Sequence, residues 1–145
     1  MTTGVDLEAI SKGLADTITA NTSGLNVYWC PIDNPRYPAA VVTPVAPFIS
    51  YHETFGDNGL TAINFEIRVF ASAVSPESAA IALYGFLGVG TENSVFDAAE
   101  SDRTWGGTVG DAWVSQVEKE PGRFDNEGTT VLWAAMRAQA LERKD

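Results

Sequence analysis

The segment of residues 60–73, LTAINFEIRVFASA, limits the possible folds more than any other part of the sequence. Its apolar and polar residues alternate, which is typical of a β-strand with one buried face and one polar face. The apolar members of the alternation are Ile63, Phe65, Ile67 and Val69. The turn-forming sequence GDNG precedes this segment, and PFISYHETF precedes the turn, so the pattern predicts an antiparallel hairpin.

Three helices are predicted around this hairpin. In residues 6–24 the apolar side chains of Leu7, Ile10, Leu14 and Ile18 recur every three or four positions and form one stripe. A second helix begins with Ser75 as N-cap and Pro76 in the first helical position. We expect its buried side to consist of Ile81, Leu83, Tyr84 and Leu87. The sequence NSVFDAAES predicts a short third helix that is capped by Asn93 or Ser94.

Four further segments are interpreted as strands: residues 25–29, 39–46, 112–120 and 129–142. Pro44 places the second of these at a sheet edge or at a bulge. The sequence PGRFDNEG, residues 121–128, is interpreted as the turn between the last two strands. The final segment, TTVLWAAMRAQALE, is ambiguous because its composition favours a helix. The alternation around Trp133 and the preceding turn favour a strand, and a strand is our prediction.

The predicted order is α-β-β-β-α-(α)-β-β, with the short third helix in parentheses. This order indicates an α+β fold with a mainly antiparallel sheet of about five strands and two to three helices packed on one face. With 145 residues, the sequence is expected to form a single domain, residues 1–145.

The charge balance excludes one large class of function. Nineteen acidic residues face nine basic ones, which gives a net charge of −10. Such a chain has no basic stripe to neutralise phosphates, so nucleic-acid binding by counterion release is not expected. Cys30 is the single cysteine and permits neither an intrachain disulfide nor a four-cysteine zinc site. No signal peptide or membrane-spanning stretch is recognisable, so we expect a cytosol-like compartment during synthesis.

The sequence YHETFGDNGL contains the most plausible catalytic residues. His52 lies beside Glu53 and near Asp57, and a triad with Ser50 can be written on paper. Adjacent residues of a strand point to opposite faces, however, and no second histidine or cysteine completes a metal site. The two glycine clusters, GVG and GGTVG, lack the lysine of a phosphate-binding loop. We therefore expect no catalytic residue, no metal and no cofactor, and we interpret YHETFGDNGL as the tip of a hairpin.

Two other features indicate contacts with partners. Residues 31–38, PIDNPRYP, form a stiff proline-rich segment that carries Ile32, Arg36 and Tyr37, and it loses little entropy on binding. Trp105 lies in a glycine-rich loop, where a large aromatic side chain is expected to be partly exposed. It is interpreted either as an interface anchor or as a packed residue. Ile32, Arg36, Tyr37 and Trp105 are the candidate subunit-interface residues.

Taken in order, these stretches resemble the tail terminator (tail completion) proteins of phages with long non-contractile tails, in particular those of actinobacteriophages. The resemblance rests on the N-terminal helix, LNVYWCPIDNPRYPAAVVTP, YHETFGDNGLTAINFEIRVFAS, SPESAAIALYGFLG and WGGTVGDAWVSQVE. It covers most of the chain as a pattern of elements and turns, without an invariant motif. A helical last segment would be a departure from the family, in which this segment is a strand.

The resemblance implies a structural protein of the virion. Family members form a hexameric ring at the head-proximal end of the tail tube, stop tube growth and present a surface to the head–tail connector. The expected partners are therefore further copies of the chain, the tail tube protein and the connector, and DNA passes through the ring without specific binding. The expected locations are the virion tail and, during assembly, the host cytoplasm.

We expect the acidic residues Glu53, Asp57, Asp125 and Glu127, on predicted hairpin loops, to face the channel or a neighbouring subunit. Two alternatives stay open. The first is another head–tail joining protein, such as a head-closure or neck protein. The second is a small cytosolic enzyme or ligand-binding module that uses His52.

Overall fold

The computed structural model describes residues 6–33, 35–50, 60–73, 75–126 and 129–143. The secondary-structure elements in these ranges are α1 (Leu7–Ala20), β1 (Asn26–Tyr28), β2 (Ala39–Ser50), β3 (Leu60–Ala73), α2 (Pro76–Leu87), α3 (Val95–Glu100), β4 (Asp111–Asn126) and β5 (Thr129–Arg143). The order α-β-β-β-α-α-β-β is the predicted one, and the α+β class is confirmed.

The strands of the described residues form one five-stranded sheet in the order β1-β2-β3-β5-β4. Only the short β1 is parallel to its neighbour, β2, and the other three pairings are antiparallel. The strand β3 pairs along its whole length with β5, from Leu60 opposite Arg143 to Ala73 opposite Thr130. The alternating segment recognised in the sequence is therefore the centre of the sheet.

All three helices pack on the same face of the sheet. The alternating apolar residues of β3 join one core cluster with Leu14 of α1, Leu83 of α2 and Val95 of α3. The residues of β5 that lie opposite these positions have mostly small side chains, and this leaves room for the helices. They are Ala134, Ala138 and Ala140, with Met136 between them. The opposite face of the sheet, called here the helix-free face, carries Asn64, Glu66, Arg68 and Phe70 of β3.

The predicted amphipathic stripe of α1 is confirmed. Ile10, Leu14 and Ile18 are fully buried, and the Asp6 carboxylate accepts a hydrogen bond from the amide N–H of Ala9 as N-cap. Since a first-turn N–H has no partner inside the helix, this cap fixes where α1 begins. No helix in the described residues is both long and apolar enough to cross a membrane.

The prolines of the strands lie where the sheet has an edge. The strand β1 covers β2 only from Ala39 to Val41, so the rest of β2 lies at the edge, where Pro44 interrupts the register as expected. The strand β4 forms the other edge and contains Pro121. An edge strand tolerates proline because it has a neighbouring strand on one side alone, so the missing N–H can face the unpaired side without loss of a hydrogen bond between strands.

The predicted turn at residues 121–128 is wrong. The strand β4 continues to Asn126, which pairs with Thr129, so residues 127–128 alone connect β4 to β5. The register of β4 shifts three times, the last shift lying between Lys119 and Gly122. Pro-Gly at residues 121–122 therefore marks an irregularity in an edge strand rather than a chain reversal.

The last segment is the strand β5, as predicted, and its helical composition is overridden by pairing with strands on both sides. The prediction for α2 is wrong in part. Leu83 is buried and Leu87 is partly buried, but Ile81 is 68% and Tyr84 61% exposed. Apolar residues occur all round this helix, so periodicity does not select the face that meets the sheet.

Candidate assembly surface

An aromatic cluster lies on the helix-free face of the sheet, and it consists of Tyr37, Phe70, Trp133 and Arg68. The rings of Phe70 and Trp133 stack with their centroids 6.0 Å apart, and Tyr37 lies 5.9 Å from Phe70. The Arg68 guanidinium lies 5.9 Å from the Trp133 ring centroid. Arginine and aromatic side chains of this kind dominate the energetically important centres of protein interfaces.

The register of the sheet brings the cluster together. Phe70 of β3 lies directly opposite Trp133 of β5, whereas Arg68 lies opposite Ala135 and contacts the Trp133 ring diagonally. Arg68 also donates a hydrogen bond to the Glu66 carboxylate at 2.7 Å. This pair fixes the guanidinium on the surface of the sheet.

The proline-rich segment delivers Tyr37 to the cluster. The Asn26 side-chain amide donates hydrogen bonds to the carbonyls of Arg36 and Pro38, at 3.0 and 3.2 Å. The amide N–H of Arg36 donates to the Tyr28 hydroxyl at 2.9 Å. The end of the segment is therefore held against β1, which directs the Tyr37 ring onto Phe70.

The three candidate interface residues of this segment differ in exposure. Ile32 is 45% exposed, Arg36 is exposed and Tyr37 is half-buried against Phe70. Tyr37 therefore has a packing role inside its own chain, while Ile32 and Arg36 are accessible. Their contact with a neighbouring subunit stays a prediction.

The prediction that Trp105 is partly exposed is wrong, because its side chain is fully buried. The indole lies 6.2 Å from the Phe65 ring in an edge-to-face arrangement, on the side of the sheet covered by helices. Gly13 allows the backbone of the Trp105 loop to lie close to α1, since a Cβ at position 13 would lie 2.3 Å from the Trp105 carbonyl oxygen. Trp105 is a core residue, and it cannot serve as an interface anchor in this conformation.

The loop around Trp105 folds inward because Asp102 organises it. The Asp102 carboxylate accepts hydrogen bonds from the hydroxyl and the amide N–H of Thr104 and from the amide N–H of Gly106, at 2.6 to 2.9 Å. The Thr104 hydroxyl, followed by the two amides, lowers the pKa of Asp102 below its ordinary value of 3.8. Trp105 has a φ of 46° within this turn, a left-handed conformation that is uncommon for residues other than glycine.

The acidic loop residues are largely outside the described residues. Glu53, Asp57 and Glu127 lie outside them, as does His52. Asp125 lies within β4, opposite Thr130 of β5, so the prediction that it lies on a hairpin loop is wrong. In the described ranges, no three side chains of the histidine, cysteine, aspartate and glutamate types lie close enough to hold a metal ion.

The sequence interpretation missed the outer surface of α2. Ile81, Tyr84 and Val89 are 68%, 61% and 73% exposed, and we call this set the α2 patch. One signal was available in the sequence: residues 78–91 contain no charged residue, although 19% of the chain is charged. Glu77 in the first turn is the single charged residue of α2, and only Ala79 and Leu83 of the helix are buried, so its outer surface is largely apolar.

A second apolar feature lies beside the beginning of α1. A pocket of about 250 Å³ opens there between α1, residues 29–31 and the strands β2 and β3. We call it the Trp29 pocket, and its apolar lining includes Leu7, Trp29, Cys30, Pro31, Phe48 and Phe65. The Ser11 hydroxyl donates a hydrogen bond to the Trp29 carbonyl and thereby ties the pocket wall to α1.

Comparisons with known proteins yield distant structural similarities. No protein-family model matches the chain, and no curated protein matches it. Among solved structures, the chain is similar to a component of the virion of a native gene transfer agent particle, with 11% sequence identity over 93% of each chain and a TM-score of 0.38. This TM-score is too low to establish a shared fold.

Proposed function

We propose that this chain is a virion structural protein of the tail-terminator type. Several copies form a ring at the head-proximal end of the tail tube, stop its growth and provide the joint to the head–tail connector. The observation that carries the proposal is the helix-free face of the sheet, with its cluster of Tyr37, Phe70, Trp133 and Arg68. The order of elements that the sequence resemblance implies supports it further.

The shape of the sheet suits a subunit that contacts neighbours on a broad surface. The strands β3 and β5 contain 14 and 15 residues and, at about 3.3 Å per residue, extend for about 45 Å. Helices cover one face of the sheet, and on the other face Arg68 is exposed while Phe70 and Trp133 are partly exposed. Aromatic residues and arginine are the types enriched in interface centres, whereas most of the acidic charge lies elsewhere on the chain.

The net charge supports the passage of DNA through such a ring. Each copy carries a charge of −10, so six copies carry on the order of −60. A negative wall offers no adhesive contacts to phosphates, and DNA slides past it. We propose that Glu53, Asp57, Asp125 and Glu127 contribute to this wall or to contacts between subunits. A ring structure in which all four point to the outer wall would contradict this assignment.

A tube-growth assay tests the proposal. Purified tail tube protein from the same phage is polymerised with and without the chain, and tube lengths are measured by electron microscopy. The expected result is short tubes with a ring at one end when the chain is present, and long tubes of variable length without it. Unchanged tube lengths and bare tube ends in the presence of the chain would contradict the proposed function.

Three variants make this assay specific. Replacing Ile32 and Arg36 with alanine removes accessible side chains of the proline-rich segment, so we expect a folded protein that caps tubes poorly. Val117→Ala is the matched control, because Val117 is 44% exposed, compared with 45% for Ile32, but lies on the β4 edge. His52→Ala should cap tubes normally, whereas an enzyme that depends on His52 would lose its activity.

A further inference from the structure

We draw no further inference here: the strongest candidate, the exposed α2 patch of Ile81, Tyr84 and Val89, carries nothing, because nothing in the described residues shows what covers it.

Discussion

Replacing Trp105 tests the packing of the core most sharply, because its glycine-rich surroundings in the sequence predict partial exposure whereas the structure buries it. The side chain is fully buried against Phe65, so Trp105→Ala removes one of the largest buried groups of the domain. Truncating a buried tryptophan costs about 3–5 kcal/mol. The indole N–H has no hydrogen-bond partner among the described residues, and its removal returns about 1 kcal/mol. The expected net loss is about 2–4 kcal/mol, a large part of the roughly 5–15 kcal/mol that stabilises a domain.

Urea unfolding followed by far-ultraviolet circular dichroism measures this loss, with every variant at the same protein concentration. At about 2 kcal/mol per molar urea, the midpoint should fall by about 1–2 M. Trp105→Phe keeps the edge-to-face contact and removes the unpaired donor, so its loss should be below about 1.5 kcal/mol. Tyr84→Ala is the exposed control and should change stability by less than about 0.5 kcal/mol. If Trp105→Ala were as harmless as this control, the buried position of the indole would be refuted.

Three further predictions concern stability. Gly13→Ala places a Cβ 2.3 Å from a backbone oxygen, so it should lower the free energy of unfolding in urea by about 1–3 kcal/mol. In Gly85→Ala the added Cβ meets nothing within 4 Å, so this variant should raise the free energy of unfolding by about 0.5–1 kcal/mol. The pKa of Asp102 in the folded state is lowered below 3.8, so the ionised carboxylate stabilises the folded protein fully above that pH and loses this effect as the pH falls through the folded-state pKa. Asp102→Asn should therefore make the free energy of unfolding depend less on pH in the acidic range. The Thr43 hydroxyl is buried without a partner among the described residues, so Thr43→Val should raise the thermal midpoint, and a lowered midpoint would contradict this.

The sheet could be predicted from the sequence because its strands carry a clear two-residue period. Residues 63–69 alternate without interruption, and even the ambiguous last strand keeps an alternation that its helical composition does not remove. The start of a helix could also be predicted, since Ser75 followed directly by proline is a local signal for the beginning of α2. These features depend on neighbours along the chain, which a sequence displays directly.

The candidate surface could be predicted less well from the sequence, because it depends on contacts between residues that are distant in the chain. Nothing near Trp105 in sequence shows that Asp102 turns the loop inward or that Gly13 leaves space for it. The stacking of Phe70 on Trp133 follows from the register of two strands that are far apart in sequence. The Pro-Gly pair at residues 121–122 misled the prediction because an irregular edge strand and a turn use the same residue types.

The central claim is that the protein acts as one of several copies in a ring, and imaging with mass measurement tests it most directly. The purified chain is mixed with its tail tube protein, and the particles are examined by electron microscopy together with native mass spectrometry. The account predicts annular particles at one end of each tube, with a mass of about 93 kDa for six copies of a 15.5 kDa chain. A chain that stays monomeric at 15.5 kDa and is absent from the tube ends would contradict the account.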